Sequence, residues 1–413
     1  MAVVSDLHFC NARAEGHGSE LSHVVIEKLH ESPGKNPWTD LMEMVAQENI
    51  RADFLLCPGD ITTHAERAPL VAAWKGLVQL GKALQSSMMA CATGNHDVRS
   101  RVPGKEGTYD PVHDLDNPHD LFENLKLLSP EYPLHVYTDG INSLPNRKRR
   151  TEYFGTDFVL HEDIHARVIV FNSCARHLND KSVYERGLIA ESTLSELREQ
   201  LNTLPADKIN IFLCHHHPIQ HTQGGTGAYD FIFRGEELVK CLQAHGDWII
   251  VHGHKHEGRI VYASGGSPAS APVVFSASSL GAIFTQAQIN KYRNQFYILE
   301  IELGAKGCSR GTAHIWNWYT GTGWAKSIDS RIGLIDGNGF GERAHPDDLA
   351  EKVAQMVGLE SMKWDSVRHA LPFLVNLTPE GQDDLEKSLK RKHNLIFLRN
   401  QITHSIMHIG PGA

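Results

Sequence analysis

Five short apolar runs each stop at a cluster of aspartate, asparagine, histidine or glycine, and no other feature restricts the fold of this chain as much. Ala2-Val3-Val4-Ser5 leads into Asp6-Leu7-His8, and Phe54-Leu55-Leu56-Cys57 into Pro58-Gly59-Asp60. Met88-Met89-Ala90-Cys91 precedes Gly94-Asn95-His96-Asp97. Residues 209–214 precede His215-His216-His217-Pro218, and Trp248-Ile249-Ile250-Val251 precedes His252-Gly253-His254-Lys255-His256. Apolar runs of four to six residues bounded by polar ones read as buried strands. Helical periodicity fills the intervals at 38–49, 65–86, 192–202 and 235–245. Strands alternating with helices predict an α/β or layered αβ architecture. Ligands in open sheets of that type bind beyond the carboxyl ends of the strands, where all five clusters fall.

Two stretches break the rhythm. Residues 98–157 are rich in Pro, Gly and Asp, include Asn146-Arg147-Lys148-Arg149-Arg150, and read as an insertion or lid beside the polar clusters. The basic run reads by default as a solvated face, with a phosphate clamp as the functional alternative. Gly224-Gly225-Thr226-Gly227 lacks a following Lys-Ser/Thr and reads as a loop bordering the clusters. After residue 258 the pattern turns to strands, at 272–276, 295–303 and 312–319. Pro346 and Thr378-Pro379 then mark helix starts. Leu385, Leu389, Ile396, Ile402 and Ile406 would line one irregular helical face, so 346–413 reads as a helical appendage to a domain spanning 1–335.

Composition narrows the class. The 413 residues, 22% charged and 41% hydrophobic, are ordinary for a globular protein of two to three domains, or one large domain with attachments. A net charge of -9 argues against a surface coated for non-specific nucleic-acid binding. No apolar run approaches the ~20 residues of a membrane helix, so no membrane partner is expected. Seven cysteines, odd in number and without a C-x-x-C pair, suggest buried thiols in a reducing, cytoplasmic setting. Histidine alone is in excess, at 26 residues.

Together the clusters offer two carboxylates, an amide oxygen and at least four imidazoles. Such a mixed nitrogen and oxygen set suits Mn, Fe, Zn or Ni, whereas Ca and Mg sites are built almost wholly of oxygen. Alternate residues of an extended segment point the same way, so Asp6 with His8, and His254 with His256, can each reach one center. The glycines at 59, 94 and 253 permit the tight turns that aim them.

The order D-x-H, G-D, G-N-H-D, H and G-H-x-H over residues 6–256 resembles the calcineurin-like metallophosphoesterase superfamily. The resemblance implies a four-layer αββα fold, a β-sandwich flanked by helices. It implies two transition-metal ions, manganese favored over iron or zinc. One would be held by Asp6, His8, Asp60 and His256, the other by Asp60, Asn95, His216 and His254, with Asp60 bridging. Three adjacent histidines compete at the fourth motif. The ligand in relatives usually stands two residues before the proline, which selects His216 and leaves His215 as its rival. A hydroxide bridging two ions ~3.5–4 Å apart would attack phosphorus. His96 would protonate the leaving oxygen, and Asp97 would orient His96. His-His-His-Pro and Gly-His-Lys-His-Glu look like the cyclic-nucleotide phosphodiesterase branch, which implies a nucleotide or other small phosphodiester as substrate. A DNA nuclease of the repair type is the alternative. A phosphomonoesterase and a non-catalytic, metal-stabilized scaffold rank below it.

Overall fold

In the computed structural model, which describes residues 1–13, 21–31, 34–100, 120–177, 181–205, 208–220, 230–263, 271–304, 307–358 and 360–412, each of the five apolar runs is a strand. The first half of the chain contributes β1 (Ala2–Val3), β2 (Phe54–Cys57), β3 (Met88–Cys91), β4 (Leu134–Val136), β5 (Phe158–Glu162), β6 (Ala166–Phe171) and β7 (Ile209–Leu213). Then come β8 (Trp248–His252), β9 (Arg259–Tyr262), β10 (Val273–Ser276), β11 (Gln295–Leu303), β12 (Ser309–Tyr319), β13 (Gly323–Lys326) and β14 (Asn338–Phe340).

These strands form two sheets. One has the order β13-β12-β11-β1-β2-β3-β4, with β14 also paired to β12, and the other β5-β6-β7-β8-β10-β9. β1, β2 and β3 are parallel, as are β6, β7, β8 and β10, so the carboxyl ends that carry the polar clusters gather at one edge of the sandwich. β1 is only two residues long but central, pairing Val3 with Leu56 on one side and with Tyr297 on the other.

The alternation of strand side chains builds the layers. Val168, Val170, Ile211, Leu213, Ile249, Val251, Val273 and Phe275 share a core with Val3, Leu55, Met89 and Phe296 of the facing sheet. The intervening Phe212, Ile250 and Val274 point the other way, onto Leu194 and Leu197 of helix Glu191–Asn202 and Leu238 and Leu242 of helix Gly235–Ala244. Helices Pro37–Gln47 and Arg67–Ala83 cover the first sheet through Trp38, Leu41, Leu70, Trp74 and Leu77. The Asn36 side chain accepts from the Trp38 and Thr39 amides with Pro37 at the first helical position, which fixes where the first of these starts. The result is the expected helix–sheet–sheet–helix sandwich. No helix among the described residues is long and apolar enough to cross a membrane.

The 98–157 segment is more regular than its composition suggests, although 101–119 lie outside the described residues. β4 extends the sheet antiparallel to β3, and a helix runs over Leu144–Thr156 behind a Ser143 cap. Its Tyr153 is fully buried, with the hydroxyl 2.8 Å from Thr93 Oγ1 and accepting the Thr93 amide at 3.1 Å. This part of the segment buttresses the loop after β3 rather than capping it as a lid. Within the basic run, Arg149 pairs with Asp139 at 2.6 Å, and Arg150 donates to the Lys126 carbonyl at 3.1 Å. Gly224 to Gly227 lie outside the described residues.

Helices Pro346–Val357 and Pro379–His393 begin at the prolines identified in the sequence. The all-helical reading of the tail fails beyond them. β15 (Met362–Lys363), β16 (Leu395–Arg399) and β17 (Ile406–Pro411) form an antiparallel sheet ordered β15-β17-β16. Asn394, at φ 51°, stops the helix, and Leu395 and Phe397 then bury alternate side chains with the two-residue period of a strand. Ile402 is 76% exposed in the connecting turn. The unit has its own core, centered on Leu349, Val353, Trp364, Leu385, Leu389 and Ile409. It joins the sandwich where Gly339 meets the Val375 carbonyl and the Asn376 side chain donates to the Gly311 carbonyl at 3.2 Å.

Candidate metal center

The residues after β1, β2 and β8 leave the sheet through left-handed backbone. Asp6, His8, Asp60, His254 and His256 have φ of 50°, 50°, 51°, 82° and 57°, five of the twelve described non-glycine residues with positive φ. Such conformations are uncommon outside glycine and concentrate where function outweighs strain. Left-handed turns, not alternation along an extended strand, therefore aim each D-x-H and H-x-H pair. Two glycines permit the close approach. A methyl group on Gly94 would strike the Asp60 backbone and carboxylate, and one on Gly253 would strike Ser5 and Asp6.

Asp6, His8 and His256 form the first group, with one donor atom from each within 4.8 Å of the other two. The Nε2 atoms of His8 and His256 are 3.1 Å apart, and His256 Nε2 is 3.4 Å from Asp6 Oδ1. The Asp6 carboxylate also accepts from the His254 amide, at 3.2 Å to Oδ1, and from the Ser5 hydroxyl. The Asp6 carbonyl is seated by Ser279 Oγ at 2.7 Å and the Gly281 amide at 3.2 Å.

The second group centers on His215. Its Nε2 lies 3.0 Å from Asn95 Oδ1, 3.3 Å from Asp60 Oδ2 and 3.2 Å from His254 Nδ1. Its Nδ1 is 2.9 Å from the Pro58 carbonyl, which holds a ring proton there and leaves Nε2 as the nitrogen that faces the group. Asp6, Asp60 and His215 also gather within 4.8 Å, so Asp6 belongs to both groups and Asp60 joins the second beside it. His216, the residue expected in this position, turns its Nδ1 to Ser173 Oγ at 2.8 Å. Its ring lies beside that of His254, 4.7 Å between centroids, and one donor atom from each of His215, His216 and His254 lies within 4.8 Å of the other two, while Asn95 and Asp60 are engaged by His215. His217 stacks on His252, 4.3 Å between centroids, and both are buried in the packing behind the site.

Electrostatics favors cation ligands here. Burial, reinforced by the neighboring His256, pushes the His8 imidazole down to about 3, and burial pushes His254 down to about 4, so both are neutral bases. Burial opposes charge on Asp60, yet the imidazoles of His215 and His96 outweigh it and hold the carboxyl well below its ordinary range. Burial would likewise depress His215, but the Asp60 and Asp6 carboxylates lift it to about 9, so a cation bound there takes the place of the proton on Nε2. Imidazole nitrogens 3.1–3.2 Å apart, an amide oxygen and two buried carboxylates fit a pair of transition-metal ions.

His96 sits at the rim, half-buried, its ring 5.3 Å from that of His8. Its amide donates to Asp60 Oδ1 at 2.8 Å, and its Nδ1 is 2.7 Å from the Thr63 carbonyl. Asp97 does not orient this ring. Its carboxylate accepts from the Thr62 amide at 3.0 Å, the Thr62 hydroxyl at 3.2 Å and the Gly94 amide at 3.0 Å, tying the loops after β2 and β3 together. Burial and the Asp60 charge push Asp97 up to about 7. Three partners were not legible in the sequence. The Pro58 and Thr63 carbonyls carry no side-chain signal, and Asp230, buried 2.6 Å from Lys255 Nζ and 3.8 Å from His254 Nε2, is an isolated carboxylate far from any motif.

The profile of the calcineurin-like phosphoesterase family matches residues 1–258. No curated protein matches the chain. Among solved structures it is similar to a purple acid phosphatase from yellow lupin (Lupinus luteus) seeds, at 14% identity and a TM-score of 0.43, over 76% of this chain and 51% of that one. The chain thus spans about half the length of the lupin protein. It is also similar to a phosphopantetheinyl hydrolase from Mycobacterium tuberculosis, at 12% identity and a TM-score of 0.30, over 67% of this chain and 89% of that one.

Proposed function

Because the chain belongs to the calcineurin-like phosphoesterase family, we propose that it is a dinuclear-metal phosphodiesterase that hydrolyzes a nucleotide or another small phosphodiester. The observation that carries this reading is that two donor groups adjoin at the neighboring carboxylates Asp6 and Asp60. One ion would be held by Asp6, His8, Asp60 and His256, and the other by Asp60, Asn95, His254 and His215, which takes the place expected for His216. The donor set suits Mn, Fe or Zn, with Mn favored. When bound, such a pair supplies Lewis acidity to water and to phosphoryl oxygens.

The chain's own groups do the rest. With its Nδ1 proton committed to the Thr63 carbonyl, His96 presents Nε2 toward the rim, where it can protonate the leaving oxygen. The Asp60 bond to the His96 amide keeps that ring in register with the ligands. Asp97 acts indirectly, by holding the loops that carry Asp60 and Asn95. All seven cysteines are free thiols, which agrees with a reducing, cytoplasmic setting.

Purified protein supplied with Mn²⁺ is expected to hydrolyze a bis-aryl phosphate diester. His96→Ala should lower the rate by about 10²–10⁴-fold, and Asp60→Asn should abolish it with loss of bound metal. Cleavage of a monoester alone would remove the diesterase reading. Salt-sensitive degradation of linear DNA would replace it with a nuclease.

A further inference from the structure

We infer that Cys174, His177 and His216 form a third metal site, distinct from the dinuclear center, suited to one zinc ion. Cys174 and His177 stand in a C-x-x-H spacing on the turn after β6, closed by the His177 amide donating to the Cys174 carbonyl at 3.0 Å. His216 reaches them from the loop after β7. One donor atom from each residue lies within 4.8 Å of the other two. All three side chains are sealed from solvent, at 0%, 2% and 0% exposure.

The ring nitrogens are already sorted for metal binding. Ser173 Oγ holds His216 Nδ1 at 2.8 Å, and His216 Nε2 is buried with no hydrogen-bond partner among the described residues. A buried imidazole nitrogen left in that state is destabilizing, and a cation would satisfy it. His177 Nε2 is 3.2 Å from the Arg186 carbonyl, so the proton sits there and Nδ1 keeps the lone pair. A carbonyl that fixes the tautomer of a ligating histidine is the usual outer support of a metal site, and the Ser173 hydroxyl can accept the His216 Nδ1 proton in the same way. The Cys174 thiol points at the Thr93 carbonyl, 3.2 Å away. On binding, that thiol proton passes to solvent and the thiolate becomes the ligand. One thiolate and two imidazoles with a fourth position left over are a zinc or cobalt set, softer than the carboxylate-rich dinuclear center. The site requires that His215, not His216, serve the second ion of that center. It would clamp the turn at 172–177 onto the histidine triplet and so position His215.

The test is titration of the metal-depleted full-length protein with cobalt(II) alone. Three equivalents are expected, one of them raising a thiolate-to-cobalt charge-transfer band in the near ultraviolet. Cys174→Ser should remove the band and one equivalent. Asp60→Asn should lose the dinuclear ions and keep the band, which separates failure of the dinuclear reading from failure of this one. X-ray absorption of the zinc-loaded wild type should show a sulfur neighbor at ~2.3 Å whether or not the variants fold. Two equivalents with no thiolate band, a band that survives Cys174→Ser, or a zinc spectrum without sulfur would each overturn the site.

Discussion

Adjacent histidines with different partners are the sharpest residue-scale contrast. His215 and His216 follow one another, yet the first faces Asn95 and Asp60 while the second faces Ser173. The motif could not separate them, because the choice is made by the Pro58 carbonyl, which reaches His215 Nδ1 from 157 positions away in sequence. Ligand types at the other positions were legible, since each cluster carries the carboxylate, amide or imidazole that a cation requires. His215→Ala is expected to remove one ion of the proposed dinuclear pair and nearly all phosphoesterase activity. His216→Ala should keep that pair and weaken its binding by no more than about 10–100-fold, the range for an outer-shell group. Metal analysis of the two dialyzed variants decides, and the reverse pattern would restore His216 as the ligand.

Strands were legible at the scale of elements because short apolar runs between polar clusters have few alternative structures. Less was visible at 134–136 and 144–156, where Pro, charge and Gly hide a sheet edge and a polar helix. Their role depends on Tyr153, whose hydroxyl satisfies both the amide and the side chain of Thr93, the residue before Gly94-Asn95. Tyr153→Phe leaves the buried Thr93 amide unpaired, while Thr93 Oγ1 keeps the Tyr132 hydroxyl at 3.0 Å, and should cost about 1–3 kcal/mol of stability. Denaturant unfolding measures that loss. A shifted KM with unchanged stability would instead mark the helix as a lid. The C-terminal strands escaped detection for a related reason. Leu385 and Leu389 continue as apolar spacing through Ile396, and only the left-handed Asn394 reveals that the period has changed.

Contacts between units decide stability at the scale of the whole molecule. Arg343, just before the C-terminal unit, reaches back to Asp247 at 2.7 Å, with the two side chains 9% and 7% exposed. The same guanidinium lies over the Tyr262 ring, 4.7 Å from its centroid, and Asp247 also accepts the Ser309 amide at 2.6 Å. Arg343→Ala would strand a buried carboxylate at a cost of about 3–5 kcal/mol. Thermal or chemical unfolding should show the loss, with phosphoesterase activity of the folded fraction retained. Unchanged stability would mean that water reaches Asp247. Nothing in the sequence paired these residues, because both are ordinary surface types whose burial arises only from contacts between segments 96 positions apart.

The brevity of β1 has a consequence in time. Its two residues bridge β2 and β11, and the loop behind it is seated by Ser279 and Gly281. Ala2 therefore waits for Ile298 to be synthesized, roughly 15–60 s at ~5–20 residues per second. Asp6 and His8 cannot adopt their left-handed turns as a finished pair until that seat exists. A ribosome-bound chain short of residue 298 would hold metal poorly, and cation uptake would follow closure of the sheet instead of guiding it.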